Sequence, residues 1–138
     1  MSVGEVRVRA RLANPVDEVL VRRGTLTPDQ IRTVEVDAVV DTGASCSVVP
    51  VTVASDLGLG VRSERPVRYA DGRAETVGVT GPIVFELEGR DTLDEALVFG
   101  DEVLIGQTVL EKLDLLVDCD GRRVIPNPAH PDGPMFRI

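Results

Sequence analysis

The stretch from Val34 to Pro50, VEVDAVVDTGASCSVVP, constrains the fold more than any other part of the chain. A strand-like, mostly apolar run from Val36 to Val40 delivers an acidic residue, Asp41, onto a tight Thr-Gly turn. A second valine-rich segment follows the turn at once. Flanking valines are expected to desolvate the carboxyl group, which raises the cost of its charged form. The pattern therefore predicts a carboxylate at a turn between two apolar strands.

An Asp-Thr-Gly triplet taken alone also has a simpler interpretation. Asp and Gly are common in β-turns, and Gly43 tolerates positive φ. On the three residues alone, an ordinary turn between two strands is at least as good an interpretation as a chemically active carboxylate.

A second motif lies downstream, where the apolar segment from Val103 to Ile105 reaches Gly106 and continues into a helix-like QTVLEKL. Together, DTGAS between apolar strands and this apolar-Gly segment resemble the aspartic proteases, in which the second segment crosses behind the active-site loop. The triplet occurs once in 138 residues. The chain is therefore similar to the retroviral-type (retropepsin-like) proteases, which assemble one active site from two subunits. The resemblance covers roughly residues 34–126 and implies a single-domain member, of a type expected in prokaryotes.

Short strand-like segments dominate the rest of the sequence, which predicts a mostly β fold. The clean alternation from Glu5 to Leu12 is typical of a half-buried strand, with its arginines on the solvated face. Single strands are predicted over Val16–Val21, Ile31–Val40, Val48–Val49, Ile83–Glu88, Ala96–Phe99, Val103–Ile105 and Met135–Ile138. Hairpins are predicted over Pro66–Val79, turning at Asp71-Gly72, and over Leu115–Pro126, turning at Asp120-Gly121.

Few helices are expected. One begins near Pro50 and ends at Gly58, and the other spans Gln107–Leu113 with Val109, Leu110 and Leu113 inward. Polar connections are predicted at Gly24–Asp29, Leu59–Arg65 and Gly89–Asp94. We expect one domain over residues 1–138, with extensions on both sides of its core. The resemblance implies that the strands form a closed, barrel-like acid-protease fold with one or two short helices.

Composition narrows the classes of partner. The net charge of −8 disfavours nucleic acid, whose phosphates need clustered cations. No apolar run reaches the length of a membrane span, and the N-terminal MSVGEVRVRA lacks the apolar core of a signal peptide. The expected protein has no membrane association and a cytoplasmic location.

The cysteines and the single histidine offer little further chemistry. Cys46 and Cys119 are too few for a disulfide scaffold, and we expect both to be thiols. Cys46 is interpreted as a small packing residue, and His130, in a proline-rich tail, as a solvated loop residue. Because there is one histidine and no Cys-x-x-Cys, we predict neither a metal site nor a cofactor.

The resemblance assigns the catalytic roles to Asp41, Thr42 and Gly43. Two nearby carboxylates cannot both ionise cheaply, so they share a proton. The charged one takes a proton from water, and the neutral one hydrogen-bonds the scissile carbonyl. One Asp41 per chain therefore implies a homodimer with a polypeptide substrate. By the same resemblance, Thr42 hydrogen-bonds across to the other subunit and the Gly43 backbone approaches the site.

Substrate contacts are predicted from the loop, the hairpin and the downstream strand. Residues 66–79 would serve as a flap that covers bound peptide. The candidate contact residues are Ala44, Ser45, Tyr69, Gly72 and Ile105. For Tyr69, an ordinary position on a surface hairpin is an equally good interpretation.

The sequence departs from many retroviral enzymes at three positions. Ala44 stands where a Ser or Thr would place a hydroxyl against the carboxylate. Ser45 and Gln107 stand where those enzymes have an acidic residue and an arginine, so a neutral hydrogen bond is expected in place of an ion pair. The dimer is expected to be weaker for this change.

Three functions remain open from the sequence. The first is a homodimeric aspartic endopeptidase that cuts between apolar residues. The second is a binding or dimerisation module of the same fold with little turnover. The third is an unrelated β-barrel with a fortuitous DTG turn, which an ion pair between Asp41 and a basic side chain of its own subunit would support.

Overall fold

The chain forms one large curled sheet with short helices packed against it, as described by a computed structural model covering residues 5–136 and residue 138. The strands are β1 Val6–Ala13, β2 Thr33–Asp41, β3 Ser47–Val49, β4 Val61–Arg68, β5 Ala74–Thr80, β6 Ile83–Leu87, β7 Arg90–Asp94, β8 Ala96–Val98, β9 Leu104–Gly106, β10 Leu115–Asp118 and β11 Arg123–Pro126. The α-helices are α1 Pro15–Arg22, α2 Val51–Asp56 and α3 Gln107–Leu113, and a 3-10 turn spans Pro28–Gln30.

Nine strands pair in the order β4-β5-β8-β3-β9-β2-β1-β6-β7, and β10 pairs with β11 as a separate hairpin. Most pairs are antiparallel, but β2 runs parallel to β9 and β3 runs parallel to β8. Strand β9 therefore lies between β2 and β3, the two strands that flank the Asp-Thr-Gly turn. This arrangement brings the two sequence motifs into contact.

The core is mostly aliphatic and lies between the sheet and the helices. Its fully buried members include Leu12, Phe85, Ile105, Leu110 and Leu113, from β1, β6, β9 and α3. Valine, which fits a pleated half-buried surface, supplies much of the remainder. The predicted mostly β fold is confirmed.

The predicted strand over Val16–Val21 is wrong, because this segment belongs to helix α1. The Asn14 side chain caps the helix by accepting hydrogen bonds from the backbone N–H groups of Val16 and Asp17, and Pro15 occupies the first helical turn. An asparagine N-cap followed by a proline is a standard signal for the start of a helix. The strand prediction relied on the apolar residues of the segment instead.

Two segments predicted as polar connections are strands. Residues 61–68 form β4, which pairs with β5, and Arg90–Asp94 form β7, which pairs with β6. Both are edge strands of the nine-stranded sheet, and neither alternates apolar with polar residues, which is the pattern from which strands were predicted.

The remaining predictions of secondary structure fare better. Both hairpins, the strand before Gly106 and the two short helices occur where they were expected. Helix α2 is followed by Gly58 at φ +69°, a conformation that favours glycine. At the C-terminus, Met135, Phe136 and Ile138 are not in a strand, and Arg137 lies outside the described residues. None of the helices among the described residues is long and apolar enough to cross a lipid bilayer.

Candidate active site

Asp41 is the last residue of β2, and its turn is closed by its own side chain. The Gly43 N–H donates a hydrogen bond to Asp41 Oδ1 at 2.9 Å, and the Ala44 N–H donates to the Asp41 backbone oxygen at 3.2 Å. An aspartate that accepts a hydrogen bond from the backbone two residues on is a common turn stabiliser. The result is a fixed carboxylate with its second oxygen available.

The downstream motif lies directly behind this turn. Gly106 is opposite Asp41 in the parallel pairing of β9 with β2. A Cβ atom on residue 106 would lie 2.6 Å from the Cys46 carbonyl carbon and 3.0 Å from the Ala44 oxygen. Only glycine fits at this close approach of two backbone segments.

Backbone and hydroxyl groups join the two motifs. The Gly106 N–H donates to the buried Ser47 hydroxyl at 2.9 Å. The next two N–H groups, of Gln107 and Thr108, donate to the Ala44 and Ser45 carbonyls at 2.8 and 3.3 Å. The first N–H groups of a helix have no partner within the helix, so the start of α3 is suited to hold this loop.

The turn opens onto a cleft of about 730 Å³. One side of the cleft is formed by the turn, from Asp41 and from residues 43–46, and another by residues 65–69 of the β4–β5 hairpin. Residues 95–97 and 99–102 complete it, together with apolar side chains of the sheet. A cleft of this size is within the range typical of ligand-binding sites.

The cleft contains most of the predicted site residues but not all of them. Asp41, Gly43, Ala44, Ser45 and Tyr69 line it, whereas Thr42 and Gly72 do not. Gly72 lies in the hairpin turn at φ +90°. Ile105 is completely buried in the core, so its predicted contact with substrate is wrong. Its sequence position beside Gly106 reflects packing behind the loop.

The expected desolvation of Asp41 by neighbouring valines does not occur within one chain. Asp41, Thr42 and Gly43 are exposed, and continuous burial begins only at Ser47. Strand β2 ends at Asp41, so the turn projects beyond the part of the sheet that the core covers. Among the described residues Asp41 also forms no ion pair, which removes the support expected for an unrelated barrel.

Two further interpretations from the sequence are wrong. Cys46 is not a packing residue, because its thiol is exposed and lines the cleft. Ser45 and Gln107 do not hydrogen-bond each other through their side chains, because the Gln107 amide donates to Glu111 one helical turn away, at 3.2 Å. Cys119 is also a free, exposed cysteine.

His130 is a partly buried residue with specific partners, contrary to the expected solvated loop position. Its Nδ1 contacts the Asp114 carboxylate at the end of α3, and its backbone oxygen accepts a hydrogen bond from buried Arg90. The pKa of Asp114 is lowered, chiefly by the hydrogen bond from the Asn127 amide. Partial burial of the carboxyl group acts in the opposite direction, and the contact with His130 lowers the pKa further. This cluster attaches the C-terminal tail to α3, away from the cleft.

Tyr69 belongs to a polar network near the hairpin turn. Its hydroxyl donates to Glu75 Oε1 at 2.7 Å, which raises the tyrosine pKa, and the Arg73 guanidinium lies 4.8 Å from its ring centroid. Arg73 in turn pairs with Asp71 at 2.8 Å. These contacts fix the position of the Tyr69 ring in the cleft wall.

Several residues of the cleft wall were not predicted from the sequence. They are Arg65, Glu95, Leu97, Phe99 and Leu104. They come from three separate segments, and the pairing of β5 with β8 and of β3 with β8 and β9 brings them together. Val67 and Val79, which also line the cleft, lie within residues 66–79, the predicted flap, and Arg65 immediately precedes it.

Nothing in residues 5–136 or 138 gathers three or more His, Cys, Asp or Glu side chains in an arrangement that would hold a metal ion.

Comparison with known proteins places the chain in a family. A family model described as aspartyl protease matches residues 28–108, more than half of the chain, so the protein belongs to the aspartyl protease family. Among solved structures, the chain is similar to the retroviral protease-like domain of Ddi1 from Leishmania major. The TM-score is 0.58 at 19% identity, over 99% of this chain and 97% of that one. The fold is therefore retroviral protease-like. No curated protein matches the sequence significantly.

Proposed function

We propose that the protein is an aspartic endopeptidase that acts as a homodimer with one Asp41 from each subunit. The observation that carries the proposal is the Asp41 carboxylate, held by the Gly43 N–H at 2.9 Å and open to a cleft of about 730 Å³. A structural aspartate in a turn has no need of such a cleft. The family assignment and the fold support the same class of activity.

The chemistry requires a second carboxylate. A single exposed aspartate is a weak base and has no acid beside it. When two copies place their Asp41 residues together, the pair shares one proton, because two adjacent charges are costly. The charged member deprotonates a water molecule, and the protonated member hydrogen-bonds the scissile carbonyl. Any apparent pKa then belongs to the pair of carboxyl groups, which titrate together, and not to one Asp41 alone.

The exposure of Asp41 in one chain supports this need for a partner. Desolvation of the carboxylate would come from the second subunit and from bound peptide, not from the valines of β2. Thr42, which is exposed and outside the cleft, is the candidate for contact with the partner's loop. Gly43 keeps the backbone close to the carboxylate, since a Cβ there would lie 3.2 Å from Asp41 Oδ1.

The β4–β5 hairpin is the candidate flap. Its residues 66–69 line the cleft, and Tyr69 is positioned by Glu75 and Arg73. Closing the hairpin over a peptide would exclude water from the reacting carboxylates and strengthen their interactions. The apolar lining by Val67, Leu97 and Phe99 favours cleavage between apolar residues.

The test is cleavage of a mixed peptide library from pH 3 to pH 7 by the wild type and by Asp41→Asn, with and without pepstatin. We expect cleavage by the wild type that pepstatin blocks and that the substitution abolishes. If a folded, dimeric wild type cleaves nothing at any pH, the proposal fails and a binding module of the same fold becomes the better assignment.

A further inference from the structure

The cleft carries an arginine that forms no ion pair with any carboxylate in the described part of the chain. Arg65 lines the cleft from strand β4. Among the described residues, neither Arg65 nor its neighbour Arg68 forms an ion pair, whereas other arginines of the sheet, such as Arg7 and Arg11, do. Arg68 makes only a long contact of 3.4 Å to the Gly72 oxygen.

Arg65 lies in the part of the hairpin that forms the cleft wall. Residues 65–69 all line the cleft, where Val67 and Tyr69 are partly buried and the Arg65 side chain is exposed. Across the hairpin Arg65 pairs with Val77, which is buried, next to Val79, which also lines the cleft. Arg62, nearer the start of the same strand, is exposed and does not line the cleft.

The rest of the cleft has the opposite charge. Besides Asp41, four acidic residues line it: Glu5, Glu95, Asp101 and Glu102. Arg7 pairs with Glu5 at 2.9 Å and with Glu102 at 2.8 Å, so those two charges are largely balanced. Glu95 and Asp101 have no such partner among the described residues. The cleft is therefore polarised, positive along β4 and negative along residues 95–101.

We propose that this protease selects peptides in which an acidic side chain flanks the apolar cleavage site, and that Arg65 recognises this side chain. The inference rests on the proposed function and specifies its substrate class. A guanidinium binds a carboxylate through two parallel hydrogen bonds. Repulsion from Glu95 and Asp101 disfavours the same side chain on the other wall, which fixes the register of the peptide. Arg68 adds positive charge beside Arg65.

The experiment uses peptides with one apolar cleavage core and Glu, Gln or Lys placed in turn at each flanking position. A symmetric dimer presents one Arg65 from each subunit, so we expect one such position on each side of the cleavage site. There kcat/KM should fall in the order Glu, Gln, Lys, with Glu favoured over Gln by about fivefold, as for a partly exposed ion pair. Arg65→Gln should remove this preference and Arg65→Lys should retain part of it. Arg62→Gln, which changes the net charge equally but outside the cleft, should leave it intact.

The pH dependence gives a second readout. Glu protonates near pH 4.3 and then resembles Gln, so the Glu-to-Gln ratio should fall towards one below about pH 4. The titration of the catalytic pair affects both peptides equally and cancels in this ratio. Equal rates for Glu and Gln at every position, or loss of the preference in Arg62→Gln, would overturn the inference.

A binding measurement separates this inference from the proposed activity. Labelled Glu, Gln and Lys peptides are titrated against Asp41→Asn and Asp41→Asn/Arg65→Gln, and fluorescence anisotropy reports Kd. An absence of cleavage together with an Arg65-dependent preference for Glu would refute the protease but keep the charge selectivity. Cleavage without any preference for charge would support the protease but refute the charge selectivity.

Discussion

At Asp41 the chain holds one carboxylate oxygen with a backbone N–H and leaves the side chain exposed. Ala44, three residues further along the turn, has no side-chain donor, and its backbone N–H donates to the Asp41 carbonyl. The carboxylate thus lacks a hydroxyl donor from the position that would supply one in many related enzymes. A donor to the charged form lowers a carboxyl pKa, so the identity of residue 44 should influence the pH range of activity.

We predict that Ala44→Ser moves the acidic limb of the kcat/KM profile to lower pH, by about half a unit to one unit. The new hydroxyl would stabilise the charged member of the catalytic pair. The measurement is the rate on one neutral peptide from pH 3 to pH 7. Ala44→Thr should shift the limb in the same direction, and an unchanged limb in both variants would contradict the prediction.

At the level of elements, the site depends on the contact between the Asp-Thr-Gly loop and the strand-to-helix junction at Gly106. We predict that Gly106→Ala lowers the free energy of unfolding by about 3 kcal/mol, because the added methyl group meets backbone atoms that have no room to move. Urea unfolding followed by circular dichroism measures this change.

Gly60 provides the matched control for that substitution. A Cβ on residue 60 would meet no atom within 4 Å, and its φ is not in the left-handed region. Gly60→Ala should therefore change the free energy of unfolding by less than about 0.5 kcal/mol. Equal effects of the two substitutions would show that the contact behind the loop is not tight.

A second element-level contact joins α1 to the start of β2. Asp17 is 3% exposed and accepts hydrogen bonds from Arg32 Nε at 2.9 Å and Arg32 Nη2 at 3.0 Å. These bonds, with one from the Arg32 backbone N–H, lower the pKa of Asp17. Because the folded pKa lies below the unfolded value of 3.8, the stabilisation is present above that pH. It is lost as the pH falls through the folded pKa.

We predict that Asp17→Asn lowers the free energy of unfolding at pH 7 by about 1–2 kcal/mol and reduces its decline between pH 5 and pH 2. Asp56→Asn is the control, because Asp56 is exposed at the end of α2 and should leave the pH dependence unchanged. Denaturant unfolding across this pH range gives both results. A decline in Asp17→Asn as steep as in the wild type would show that Arg32 does not govern it.

At the scale of the whole molecule, the proposed activity requires two copies of the chain to form one active site. The chain offers one Asp-Thr-Gly turn, and its Asp41 is exposed in isolation. A dimer with two-fold symmetry would bring two identical turns together and bury both carboxylates. Activity would then depend on protein concentration, since dilution separates the subunits.

We predict that Asp41→Asn inhibits the wild type by forming mixed dimers. After equal amounts are mixed and left to exchange subunits, random pairing should leave about half of the wild-type activity, because only wild-type pairs contain two carboxylates. The same amount of a variant unable to dimerise would have no effect. Unchanged activity after confirmed exchange would show that one Asp41 is enough.

The sequence by itself determined the local features. Valine-rich alternation predicted the strands, Asp-Gly pairs predicted the hairpins, and the DTGAS and LIG motifs predicted both the family and the position of Asp41. Local chemistry suffices here, because turns and strand periodicity depend on neighbouring residues. The same kind of evidence wrongly predicted a strand where α1 lies. The apolar residues of that segment favoured a strand, but the Asn14 N-cap and Pro15 start a helix there.

Only the tertiary structure decided how these pieces combine. Contacts between residues far apart in the chain bury Ile105, leave Cys46 exposed and bring His130 against the Asp114 carboxylate. The cleft wall, including Arg65, forms because β5, β8, β3 and β9 pair side by side. Strand order is set by packing over the whole molecule, and no short stretch of sequence contains that information.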